Sequence, residues 1–443
     1  MQKAHLRLIC AFFALCLTLP ALGGCSINGS HGSCATEPDY SPMKGGAVEY
    51  LTASKFEPDR KAGKVSTTFR EAYADFALNL LNESRSEFEG DALLISPLSA
   101  MIALAMTANG ANGETLREME KVLGGGMSIE NLSEQLFNYT ASLISTEDAK
   151  FNLANAVWVT NDKSFSINKN FVKAVENTFD ADIVAADLPS SINDINDWAK
   201  EETFGMIPSI LNEGDLDADT VMVLLNALAL DALWAKQADS KYDCFEGEFK
   251  GIDENIQTVT FMNTECEGYL KGKGAVGVVK EYKGKNYAFL AILPEGDVYS
   301  YAESLSGKDL LKLYDNRTKA GGNVEVSAKI PHFSFDCKIE MKKVLQKMGM
   351  EKAFSSAGAD FSGLGIDSRG NIFIDRVIQK THIDLDNSGT RAAAVTAVTI
   401  QAEGGMMDVK FYRVEFDRPF LYAIIDTQSG LPIFIGICDN IVD

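Results

Sequence analysis

Six strand-like runs, several of them nearly continuous in apolar residues, crowd the second half of this chain: VMVLLNALAL, NYAFLAILP, GGNVEVSAKIP, NIFIDRVI, PFLYAIID and LPIFIGI, all from Val221 onward. Apolar runs of this length, without clear alternation, are expected of strands buried on both faces. Both faces must then be covered, and the first half supplies the cover. Phe69, Ala72, Tyr73, Phe76 and Leu80 recur at helical spacing behind the cap candidates Ser66, Thr67 and Thr68. Helical patterns dominate to about residue 145. A helical first half and a strand-rich second half that share one core predict a mixed α/β domain beginning near Val65. No internal repeat or low-complexity block interrupts it.

The segment DNSGTRAAAVTAVTIQAEGG, Asp386 to Gly405, behaves differently. Read with period two, one set of side chains is Thr390, Ala392, Ala394, Thr396, Val398, Ile400 and Ala402. The other is Arg391, Ala393, Val395, Ala397, Thr399, Gln401 and Glu403, which carries all the charge. That pattern suits a half-buried strand. The small residues at its start suit a loop or a helix equally. A segment able to live as loop or as strand predicts a conformational switch.

The first 24 residues read as a targeting signal. Lys3 and Arg7 form a positive start, Leu8 to Leu19 an apolar run, and Gly23 and Gly24 precede Cys25. Leu22-Gly23-Gly24-Cys25 resembles a bacterial lipobox, which makes Cys25 the expected lipidation site; an ordinary cleaved signal is the alternative. Residues 25–64, rich in Gly, Ser and Pro at their start, read as a flexible tether to a domain spanning 65–443. No other run approaches the roughly 18 apolar residues that a membrane span needs. The expectation is an exported bacterial lipoprotein at the cell surface, touching the membrane through its N-terminal lipid only.

A net charge of -21 would repel phosphates and excludes nucleic acid as a partner. Of the eight cysteines, Cys10 and Cys16 fall in the signal and Cys25 is the lipid site, leaving an odd five. An odd count argues against a disulfide framework. Cys244 and Cys266 flank a hairpin centred near Gly251-Ile252-Asp253, which leaves their pairing open. No CxxC or His-Cys cluster supports a metal, and no cofactor is expected. Catalytic motifs are absent too: there is no GxSxG elbow, HExxH or P-loop, and His332 in its strand-like run reads as structural. The chain is not expected to be an enzyme.

Seven stretches carry a family resemblance, in order along residues 65 to 443: LLISPLSAMIALAMTANGANGETLREM, LANAVWV, INDWAKEETFGMIPSIL, TVMVLLNALAL, KIPHFSFD, LQKMGMEKAFSSAGADFSGL and DRPFLYAIID. With the switch-like segment they make the chain similar to the serpins, the serine protease inhibitor family. The resemblance implies helices packed around three β-sheets, one of them large and central, with an exposed reactive loop at about 387–412. It implies a monomer whose partner is a target serine protease, held as a covalent acyl-enzyme while the cut loop inserts into the central sheet. Gly389, Thr390, Ala392, Ala393, Ala394 and Thr396 form the implied hinge, with Gly389 providing backbone freedom. Ser96, Ser99 and Asn226 match the polar cluster where the sheet opens.

Four positions depart from the family pattern: Asn387, Ser388 and Arg391 replace common glutamates, and Gln379 stands where many members have histidine. Loop spacing places the scissile bond between Glu403 and Gly404. The loop is a few residues longer than in many members, so Ala402, Met406 and Met407 stay open as alternative determinants. A non-inhibitory binding module is the remaining alternative.

Overall fold

The computed structural model describes residues 40–43, 48–52, 61–88, 90, 92–218, 220–390 and 409–441. Nine helices and four sheets are found among them. The helices are α1 (Thr67–Arg85), α2 (Pro97–Ala108), α3 (Gly113–Gly124), α4 (Ile129–Thr140), α5 (Lys169–Phe179), α6 (Ile192–Glu202), α7 (Val298–Ser304), α8 (Gly307–Asp315) and α9 (Lys342–Lys347). Local chemistry sets their ends. Ser66 caps α1 by accepting a hydrogen bond from the Phe69 amide, as its position before the apolar stripe predicts. Ser96 caps α2 in the same way, with Pro97 pre-set in the first turn.

The largest sheet contains, in order, β15 (Phe333–Glu340), β17 (Ile378–Leu385), β18 (Gly389–Thr390), β7 (Met222–Leu233), β4 (Ala149–Thr160), β6 (Ala181–Ala186) and β2 (Glu49–Tyr50). A second seven-stranded sheet runs β13 (Thr318–Lys319), β10 (Gly268–Gly272), β11 (Ala275–Glu281), β12 (Tyr287–Pro294), β20 (Phe420–Asp426), β21 (Pro432–Cys438) and β3 (Ala92–Ile95). A four-stranded sheet runs β19 (Lys410–Glu415), β14 (Val324–Pro331), β9 (Ile256–Glu265) and β8 (Cys244–Lys250). A small one joins β1 (Tyr40–Pro42), β5 (Phe165–Asn168) and β16 (Gly365–Asp367). The mixed α/β expectation of three sheets is met, with the small fourth sheet added.

Five of the six apolar runs are strands. Every residue of β12, β20 and β21 is buried, as unbroken runs require. The sixth, NIFIDRVI, is a correction: residues 371–377 form no ladder, and only Ile378 opens β17. Ile372 and Ile374 are buried, but the Ile374 amide bonds the Ala353 carbonyl rather than a neighbouring strand. Burying apolar side chains needs only an extended chain on a core, which an apolar run cannot tell from a paired strand.

The tether needs correcting as well. β1 pairs with β5, and β2 pairs with β6 at the edge of the large sheet, so parts of 25–64 pack on the domain. Edge strands carry unpaired amides and carbonyls, which any extended segment can satisfy. Cys25 and the signal lie outside the described residues. No helix among the described residues is long and apolar enough to cross a membrane.

Cys244 and Cys266 do not pair; both are free thiols. The hairpin register sets Cys244 opposite Met262 and leaves Cys266 beyond the end of β9. Burial pushes the Cys244 thiol up to about 11 and the Cys266 thiol up to about 12.

Candidate functional site

The site is a slot in the large sheet. β17 and β7 each run antiparallel to β18, so they are parallel to one another. Leu385 stands opposite Thr390 on one bank; Leu233 and Ala232 stand opposite Gly389 and Thr390 on the other. No other ladder joins the two banks among the described residues. The hinge start, Gly389 and Thr390, therefore sits in the sheet as the first two residues of a strand. Hinge positions Ala392, Ala393, Ala394 and Thr396, and the candidate bait residues Ala402, Glu403, Gly404, Met406 and Met407, lie outside the described residues.

A tight turn feeds the hinge into the slot. The Asp386 carboxylate accepts from the Ser388 amide at 2.6 Å and the Gly389 amide at 3.1 Å, reversing the chain between β17 and β18. A seat receives this turn. Trp234 donates its indole N–H to the Asp386 carbonyl at 2.8 Å and its amide to the Ser388 carbonyl at 2.9 Å. Gln237 Nε2 also donates to the Ser388 carbonyl, at 3.1 Å. Tyr282 stacks on Trp234 with ring centroids 4.4 Å apart, and its hydroxyl shares a 2.5 Å hydrogen bond with Thr390 Oγ1. Burial raises the Tyr282 phenol's pKa, and the Thr390 bond draws it part of the way back.

Beneath the seat lies a fully buried lysine. Lys280 Nζ donates to the Lys236 carbonyl at 2.8 Å, Thr264 Oγ1 at 2.7 Å and the Glu265 carbonyl at 3.3 Å. Burial lowers its pKa. Three acceptors offset much of the cost of placing a cation there. Trp234, Tyr282, Lys280 and Asp386 were not legible as site residues. The Asp-Asn-Ser-Gly composition of 386–389 is an available turn signal; the aromatic pair and the lysine carry none.

Further along, the slot meets the polar cluster. Ser99, Asn226 and Gln379 line one cavity with Leu224 and Ile378. Gln379 clamps Ser96 twice: Oε1 accepts from the Ser96 amide at 2.9 Å, and Nε2 donates to the Ser96 carbonyl at 2.8 Å. Ser96 Oγ donates to the Ile433 carbonyl at 2.9 Å and accepts from the Ser99 amide at 3.2 Å. Gln379 thus holds the α2 start with a two-ended amide. Asn226 faces the other way. Its Nδ2 donates to Asn155 Oδ1 at 2.5 Å, Asn155 Nδ2 donates to the Phe179 carbonyl at 2.7 Å, and Asn226 Oδ1 is buried without a partner. One bank is bolted to the α2 start, the other to β4 and α5. Parting them breaks none of these bonds.

His332 is half-buried beside Cys244. Its Nε2 lies 4.0 Å from Cys244 Sγ, but burial lowers the imidazole's pKa and raises the thiol's. Both shifts keep the pair neutral, whereas a nucleophilic pair needs a thiolate.

Comparison with known proteins agrees with this geometry. The family model described as serpin (serine protease inhibitor) matches residues 71–441. A thermophilic serpin, tengpin, solved in its native state, superposes with a TM-score of 0.80 at 39% identity, covering 87% of this chain and 97% of that one. An uncharacterized serpin-like protein of Methanosarcina acetivorans is 27% identical over 82% of this chain and 83% of its own. Human Serpin B7 is 27% identical over 82% of this chain and 97% of its own. Family membership supports protease inhibition in general, with proteases as partners. The chain belongs to the serpin family.

Proposed function

We propose that this protein is a suicide inhibitor of serine proteases that traps its target by inserting its cut loop into the large sheet. One observation carries the proposal: Gly389 and Thr390 already occupy an antiparallel seat between two parallel strands. The strand that would follow them has the right alternation, with Thr390, Ala392 and Ala394 small and Val398 and Ile400 apolar. In the reaction, the protease serine oxygen attacks the Glu403 carbonyl carbon. The bond to Gly404 breaks, the amine leaves with a proton, and an acyl ester forms. Residues from 391 onward are then free to enter the slot. Each contributes a ladder hydrogen bond at roughly 1 kcal/mol net, and each buried apolar side chain about 1.5–3 kcal/mol. Over about a dozen residues this exceeds roughly 10 kcal/mol, enough for insertion to outlast the ester.

Incubation with glutamate-specific, elastase-type and subtilisin-type proteases is expected to give a complex that survives SDS. Mass spectrometry of the denatured C-terminal fragment should begin at Gly404; a start at Glu403, Met407 or Asp408 would assign the bond to Ala402, Met406 or Met407 instead. Clean cleavage with all protease activity recovered would favour a non-inhibitory binding role.

The signal and lipobox-like motif support attachment at the outer side of a bacterial membrane through Cys25. The Cys25→Ser variant is expected to lose radiolabelled fatty acid and to leave the membrane fraction. Retention of both in the variant would refute the anchor.

A further inference from the structure

One face of the four-stranded sheet carries exposed side chains on both of its edge strands, β19 and β8. On β19, Tyr412 stacks on Tyr269 at 4.4 Å between ring centroids and Val414 is buried, which fixes the strand. Phe411, on the opposite face of that strand, is 71% exposed. Arg413, two residues on and on the same face, reaches over β14 and donates to Asn263 Oδ1 on β9 at 2.9 Å. Opposite Asn263 stands Lys329, whose Nζ lies 4.0 Å from the centre of the Phe261 ring. Phe261 stacks with Phe245 of β8 at 6.2 Å, and Phe245 is 38% exposed. An aromatic and cationic band thus crosses all four strands diagonally, from Phe411 to Phe245.

Its charge is unusual for this chain. Against a total of -21, the band's Lys329 and Arg413 are balanced by the neighbouring Glu325 and Glu415, and Glu265, on the same face, is paired with Lys236 at 2.7 Å. These charges cancel, and the face presents an exposed aromatic ring at each end, Phe411 and Phe245, with Phe261 buried between them; aromatic rings are the residue type that anchors protein interfaces.

Where the undescribed chain ends points to the occupant. Residues 391–408 connect Thr390 of β18 in the large sheet to β19 in this one. Each candidate scissile residue, from Ala402 to Met407, lies four to nine residues before Phe411. At about 3.3–3.6 Å per residue, that is at most roughly 13–32 Å of chain. A protease of about 240 residues has a radius of gyration near 18 Å. A protease gripping any of these bonds can therefore rest on the band.

We infer that the Phe411–Arg413–Phe245 band is a docking surface for the body of the target protease, contacted on the side of the loop that follows the cut. This inference rests on the inhibitor reading above. It assigns part of the partner selection to a sheet face rather than to the bait residue alone. Docking there strengthens the encounter complex before acylation, so it speeds capture without affecting insertion.

The test uses the full chain and whichever protease of the panel the parent traps fastest. Phe411→Ala is expected to lower the second-order association rate by about tenfold, and Phe245→Ala by a smaller factor. The fraction of cut inhibitor that ends as complex should not change, because the band lies outside the slot. Ile256→Ala, at an exposed residue beside the hairpin at the far end of β9, is the control and should leave the rate unchanged. The same Phe411 substitution in a synthetic peptide of residues 387–412 should not alter its cleavage, since the peptide has no sheet. Parental association rates in both band variants would overturn the inference, as would an equal loss in the peptide. A parent dimer that Phe411→Ala converts to monomer would give the face to a second copy instead. A parent that is cleaved but traps nothing would refute the inhibitor reading, while the effect of Phe411→Ala on the loop-cleavage rate would still decide the docking question.

Discussion

Thr390→Arg is expected to convert this inhibitor into a substrate. Thr390 is 4% exposed, and its hydroxyl is held by buried Tyr282. It stands opposite Leu385 and Ala232 and lines an internal cavity with Leu230, Ile383 and Phe434, none of which can neutralise a guanidinium. An unpaired buried charge costs several kcal/mol. Even about 3 kcal/mol added to the insertion barrier slows it by roughly a hundredfold. Water then cleaves the acyl ester before the slot closes. The measurement is the number of inhibitor molecules consumed per protease silenced, which should rise steeply while loop cleavage continues. A variant that traps protease as efficiently as the parent would show that Thr390 does not face inward during insertion.

Gly389→Val should have an effect of similar size for a different reason. A Cβ at position 389 would lie 2.1 Å from the Ala232 carbonyl oxygen and 2.9 Å from Leu233 Cα, contacts that no packing can absorb. The backbone must leave β7, which undoes the pairing with Leu233 and pulls Ser388 away from Trp234 and Gln237. Faster hydrogen exchange at the Trp234 amide, together with loss of trapping, is the expected outcome. Gly389→Ala should show the same defects, because the clash begins at Cβ. Parental trapping by the alanine variant would mean that this seat is not on the insertion route. Gly389 was read from sequence as a source of backbone freedom. The structure instead requires glycine because another backbone passes so close.

That difference marks the boundary of what the sequence makes legible. Local signals worked: Ser66 caps α1 where its spacing says it should, and VMVLLNALAL and PFLYAIID are strands. Apolar runs became strands where neighbouring strands lie beside them. NIFIDRVI did not: Ile372 and Ile374 are buried on a chain with no neighbouring strand. The polar cluster was legible as residue types, but its division was not. Ser96 with Gln379 and Asn226 with Asn155 form two separate anchors, because the choice depends on partners more than seventy positions away. The seat of Trp234 and Tyr282 depends wholly on such distant packing, and nothing near either residue in sequence announces it.

The position of β20 and β21 has a further consequence. They come from the last stretch of the chain, yet they lie inside the second large sheet, between β12 and β3. That sheet cannot close until residues 420–438 have been made and have cleared the ribosome, so the body cannot finish folding before they emerge. The same arrangement governs the molecule after it is cut. A severed C-terminal piece would keep both strands, fully buried and hydrogen-bonded on each side. The two fragments would then migrate as one particle until denatured, and a spent molecule would match an intact one in size.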